Sequence, residues 1–254
     1  MNPECWGPKY WNVLFDCAYW FDKQRNADAR PIVRQLFGVV LGESLPCSIC
    51  RDNYTRILTS SPSSSSLPSL DTAVAAFQVF PWLYTLKKRT LARDDDNDRP
   101  AAAAGPSLAV ITARHDTVQS GVSSVDDVIF IVYATVLEQF TRGDGDGDGD
   151  DDEQFTRDDG GPHAFLATLL ACCALVPALS SFVQKSGPSI VAGGMPNGGL
   201  NNNSNCQKMK RWLHALVNLF ERTSGRDAED IVYTFFALCS VSTRRRALHF
   251  LARA

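Results

Sequence analysis

The chain lacks the crowded cysteines that hold small secreted domains together. Its eight cysteines are spread from Cys5 to Cys239, so disulfide stapling is not what folds it. The pattern of a secretory leader is missing too, because Asp16 and the aromatics of the first segment do not match one. No basic stripe with interleaved aromatics is present and the net charge is −3, which argues against a dedicated nucleic-acid binder. The histidines His115, His163, His214 and His249 are scattered. No second C-x-x-C and no paired histidines follow the single C-x-x-C, so the four ligands of a zinc site do not assemble from the pattern. Long apolar runs are scarce as well. One uncharged stretch, Ala164–Val183, spans 20 residues, long enough to cross a bilayer. Pro177, Ser180, Ser181 and the many small residues weaken that reading, and a buried helix is expected there, with a membrane span as the alternative.

What is present is a chain of 254 residues with 44% hydrophobic content, enough for one large domain or two small ones. Its focus is Leu45-Pro46-Cys47-Ser48-Ile49-Cys50-Arg51. A proline just ahead of the pair suits the first turn of a helix, where its missing N–H costs nothing. The orphan N–H groups of such a helix start stabilise a thiolate. A stabilised thiolate beside a second thiol can be a redox centre. The spacing alone also fits half of a zinc site or a chance pair. A thioredoxin-like site would need strands around the pair, and the flanks read as helices.

Helical periodicity covers the first half. Residues 7–23 place Trp11, Leu14, Phe15 and Ala18 on one face, with Gly7-Pro8 marking the start. Cys17 within it reads as a small buried hydrophobe. A second helix follows the turn at Asn26–Asp28 and carries Ile32, Val33, Leu36, Phe37, Val40 and Leu41, with Gly42 expected to end it. A third opens at the cysteine pair with Tyr54, Ile57 and Leu58 on its apolar side. After a serine-rich loop over 60–69, a fourth runs through Val74, Phe77, Phe80 and Leu83, with a kink or break expected at Pro81. Four helices in this length predict a compact bundle.

Beyond Pro100 the composition changes. Residues 96–124 read as a linker and 125–254 as a helical region of unassigned role. Within that region Val125–Phe140, Met209–Glu221 and Asp230–Ser240 read as helices, and 143–162 and 186–205 as flexible loops. Asp144, Asp146, Asp148 and Gly149 imitate the start of a calcium loop, but Phe155 stands where a bidentate Glu is required, which excludes it. Glu138–Arg142 recurs word for word as Glu153–Arg157, a sign of local duplication.

Trp6-Gly7-Pro8-Lys9-Tyr10-Trp11, then Leu14, then Glu43-Ser44-Leu45-Pro46-Cys47-Ser48-Ile49-Cys50 resemble the Erv/ALR family of FAD-dependent sulfhydryl oxidases, in the short form found in large cytoplasmic DNA viruses. The likeness covers residues 3–95. It implies an all-α fold built on a four-helix bundle, FAD held without covalent attachment, a homodimer, and a location in the host cytoplasm or the virion. It implies that electrons pass from a protein dithiol, a viral thiol carrier among the candidates, to the Cys47–Cys50 disulfide, then to flavin and dioxygen, giving hydrogen peroxide. Cys50 would face the flavin and Cys47 would exchange with the incoming thiol. Gly7, Trp11 and Phe15 would lie against the cofactor. Phe15 stands where the family often has His, and Asn53 is near a position often held by His.

The family's fourth helix carries His-Asn-x-Val-Asn, which contacts the adenine and ribose. Aligned on Trp82-Leu83, this chain has Lys87 and Lys88 at the His-Asn pair and Leu91 at the last Asn, so the resemblance makes Trp82, Lys87 and Lys88 cofactor-binding candidates. A closer match, His214-Ala215-Leu216-Val217-Asn218, lies far downstream after Trp212. The local helix is the favoured reading, with His214 and Asn218 kept as candidates. Cys5 and Cys206 are candidate shuttle thiols. The alternative from another class is a non-catalytic helical virion protein, structural or adaptor, that keeps the fold without FAD.

Overall fold

A computed structural model describes residues 3–45, 48–59, 67–91, 106–142 and 161–192, together with Arg211, Ala215 and Asn218. The described residues are overwhelmingly helical and contain no strand, so the fold is all-α. The elements are α1 (Pro3–Gln24), α2 (Arg30–Gln35), a π-helical stretch (Leu36–Val40), α3 (Leu41–Ser44), α4 (Ser48–Thr59), α5 (Leu70–Ala76), α6 (Val79–Leu91), α7 (Leu108–Thr117), α8 (Val125–Arg142), α9 (Gly161–Cys173) and α10 (Pro177–Ala192).

The central element is α1. The period of Tyr10, Val13, Leu14, Cys17, Ala18 and Phe21 puts all six in the core, as a 3.6-residue repeat requires of a helix packed on several sides. It begins at Pro3, so Pro8 lies inside the helix rather than at its start. It packs against α6 and α8, and more lightly against α9.

Gly42 does not end the second helical segment. It is buried inside α3, where a Cβ would come within 3.3 Å of Tyr54 Cδ1, so glycine serves close packing of α3 on α4. The segment ends at Leu45, whose ψ of 133° is extended, as expected of a residue before proline. The π-helical stretch includes Phe37, whose carbonyl accepts from the buried Tyr54 hydroxyl at 2.6 Å.

The expected break at Pro81 occurs earlier. Ser69 caps α5 by accepting from Thr72 N–H, and Phe77 stops it in the left-handed region at φ 55°. The next helix starts at Val79 because the Asp22 carboxylate accepts from Val79 N–H at 2.9 Å and Phe80 N–H at 2.8 Å. Pro81 then falls in the first turn of α6, where a missing donor is harmless.

Residues 96–124, read from the sequence as a linker, contain α7, capped by Ser107. The long apolar stretch divides into α9 and α10 around a turn at Ala174–Val176, and among the described residues no helix is long and apolar enough to cross a membrane. The loop expected over 186–205 is helical through Ala192, and the rest of it lies outside the described residues. Phe182, Ser186 and Ile190 are all buried, and that four-residue spacing keeps α10 helical through Ala192.

The two halves share one core cluster, which runs from Tyr10 through Leu86 to Ile190. Tyr10 stacks on Phe165 with centroids 6.5 Å apart and its hydroxyl is 3.1 Å from Thr135 Oγ1. Lys9 Nζ donates to Asp127 Oδ1 at 3.0 Å. Thus α8 and α9 close the side of α1 that α6 leaves open.

Candidate functional site

Cys50 lies in the first turn of α4 and is disulfide-bonded. Its partner is not Cys17, Cys172 or Cys173, which are free thiols. Cys47, the expected partner, lies outside the described residues. Cys50 is half-buried, and Ile49 beside it is 66% exposed. Arg51 Nη1 donates to the Leu45 carbonyl at 2.6 Å, closing the turn that leads into α4. The sulfur therefore sits at a helix start, where the peptide dipoles favour a thiolate.

The second group lies between α1 and α6. Trp11 and Phe15, one turn apart on α1, have ring centroids 6.1 Å apart. Phe80 of α6 meets Phe15 edge-on at 5.5 Å. Lys87, two turns further along α6, holds its Nζ 5.2 Å from the Trp11 centroid and 5.3 Å from that of Phe15. No carboxylate among the described residues pairs with it, and burial holds its pKa below the ordinary lysine value. A half-buried cation over two aromatic faces gains from the ring quadrupoles. It also leaves three N–H donors for an anion. Gly7 is buried, and a Cβ there would meet only Trp11 Cδ1 at 4.0 Å among the described residues, so packing within the chain does not by itself demand glycine.

Of the other nominated residues, Trp82 points elsewhere. It is 3% exposed, donates from Nε1 to the Pro68 carbonyl at 3.1 Å, and meets Phe37 edge-on. Lys88 is exposed over the Tyr84 ring. Asn218 is helical and exposed; His214 and Cys206 lie outside the described residues.

A buried polar cluster escaped sequence reading. Asp16, fully buried on α1, accepts from Val122 N–H at 3.0 Å, from Ser123 N–H at 2.6 Å, and from the Ser123 hydroxyl. His115 Nε2 stands 3.2 Å from Asp16 Oδ1, near enough for an ion contact but not aligned as a hydrogen bond. Burial pushes the Asp16 pKa upward, but His115, Ser123 and the two backbone donors outweigh it and the net shift is downward. These are the residue types of a nucleophilic triad, wired differently. The serine bonds to the carboxylate rather than to the imidazole, and His115 Nδ1 is taken up by the Ile111 carbonyl at 2.9 Å. Among the described residues no imidazole is aimed at the hydroxyl, as the triad of acyl transfer requires. The cluster pins α7 and the loop after it to α1. The sequence does hold one signal: an aspartate between Phe15 and Cys17 on an apolar face needs partners, but they lie about 100 positions away.

Comparison with protein-family models, curated proteins and solved structures gave no match to the chain. The functional reading therefore rests on the residues and their geometry.

Proposed function

We propose that the chain is a flavin-linked thiol oxidase that makes disulfides in protein substrates. The observation that carries this reading is the bonded Cys50 at the start of α4, a helix packed on the same α6 that presents Lys87 to Trp11 and Phe15. The residues suit a flat, anionic cofactor. The half-buried Trp11 on α1 would take a ring system, with buried Phe15 packed against it, and Lys87, which no carboxylate among the described residues pairs, would take negative charge on the isoalloxazine or the diphosphate. Bound FAD would supply the two-electron chemistry that ends in hydrogen peroxide.

The chain's own part is exchange and positioning. A substrate thiolate would attack the outer sulfur, Cys47, and the Cys50 sulfur would leave as a thiolate stabilised by the α4 N-terminus. Exposed Ile49 offers the incoming polypeptide an apolar contact at that point. A second substrate thiol would then displace Cys47 and release the oxidised substrate. The resemblance adds a homodimer and a cytoplasmic or virion setting to the proposal.

The test is a visible spectrum of the full chain, followed by turnover of a model dithiol with oxygen as acceptor. Flavin near one FAD per chain, with turnover abolished by Cys50→Ser and flavin retained, is the expected result. A folded protein that stays colourless with added FAD would overturn the reading in favour of a non-catalytic helical virion protein.

A further inference from the structure

We propose that Cys17 and Cys173 are a second thiol pair, one that closes into a disulfide tying α1 to α9. Their Sγ atoms are 3.9 Å apart and both side chains are fully buried. A disulfide needs about 2 Å, so a shift of about that size again in the two side chains brings the sulfurs together. The partner is chosen by helical geometry. Cys172 and Cys173 are adjacent on α9, and successive side chains point about 100° apart. Cys172 turns its Sγ to the Ile32 carbonyl of α2 at 3.8 Å, which leaves Cys173 alone to face α1.

The surroundings set when the bond can form. The contact between the two thiols, reinforced by burial and the neighbouring sulfurs, holds the Cys17 pKa well above its usual value. Docked Cys17 is therefore a poor nucleophile, and with both thiols fully buried an oxidant cannot reach either sulfur. Reaction belongs to the moments when α9 stands away from α1, during folding or local opening. The oxidant is a small-molecule disulfide. One protein thiolate attacks it and expels one small thiol as a mixed disulfide forms. The second protein thiolate then displaces the other small thiol. One S–S bond forms in the protein, one is broken in the oxidant, and two electrons and two protons pass to the released thiols. Once α9 docks, the closed bond is shielded from reductants.

The pair does not depend on the flavin reading, and the test keeps them apart by mapping peptides rather than following activity. Fully reduced chain is incubated with oxidised glutathione, with and without urea at concentrations below the unfolding transition, then alkylated under denaturing conditions, digested and mapped. The expected result is a Cys17–Cys173 peptide lighter by two hydrogens, formed faster with urea and resistant to mild reductant after urea is removed. The same link should form in Cys172→Ala. Recovery of Cys17 and Cys173 as alkylated thiols under every condition would overturn the proposal. So would a Cys17–Cys172 link in the wild-type chain.

Discussion

Two aspartates six residues apart on α1 are both pushed upward by burial, yet their net shifts run in opposite directions. Asp22 caps α6, yet burial outweighs its two N–H partners and raises its pKa to about 6. In the folded state it holds its proton in a range where the unfolded chain has released it. Between its ordinary 3.8 and about 6, stability therefore falls as pH rises. Asp16 has the reverse sign. Its pKa is depressed, so its contribution is present above the usual carboxylate range and is lost as pH falls below it. Asp22→Asn keeps an oxygen that can accept from the α6 N-terminus and removes the charge. Urea midpoints taken from about pH 4 to pH 7 should show a flatter decline in the variant than in the wild type. An unchanged slope would mean that folding leaves the Asp22 pKa at its ordinary value. Neither role was legible in the sequence, because each depends on partners brought together by folding.

At the scale of elements, periodicity located the helical segments of the first 91 residues, missed α7, and missed the points where helices stop. The run from Val74 to Leu83 looks continuous, and Pro81 is the visible breaker. The actual break is at Phe77, because a carboxylate 57 positions earlier opens a new helix at Val79. Gly42 resembles a helix terminator for the same reason: its use is contact with Tyr54, which spacing cannot show. The loop between α7 and α8 offers a direct test. Gly121 has φ +113°, and a Cβ there would lie 2.8 Å from Val176 Cγ1 and 3.2 Å from Asp16 Oδ2. Gly121→Ala combines backbone strain with a clash against the buried carboxylate. It should destabilise the chain by about 1–3 kcal/mol, read as a lower urea midpoint. At Gly187, among the described residues, a Cβ would meet only Val183 Cγ1 at an ordinary 3.4 Å, so Gly187→Ala serves as a control with a much smaller effect.

On the whole molecule, the candidate site was legible in part. Trp11, Phe15 and Lys87, nominated by resemblance from two separated segments, come together; Trp82, nominated in the same way, is spent on Pro68 and Phe37. What could not be read is that the first half does not close on itself. The resemblance ends near residue 95, which suggests a self-sufficient unit. Yet α1 gives Tyr10 to Phe165 and Thr135, Lys9 to Asp127, Cys17 to Cys173, and Asp16 to the loop before α8. Removing everything after residue 95 would uncover those side chains and strand a fully buried carboxylate without its donors. Freed apolar surface costs about 25 cal/mol per Å², and a domain holds only about 5–15 kcal/mol in reserve. A chain ending at residue 95 should therefore keep helical far-ultraviolet dichroism but lose the near-ultraviolet signal and the sharp unfolding transition of the full chain. A cooperative transition at the full-length midpoint would show instead that α8 and α9 only decorate a complete core.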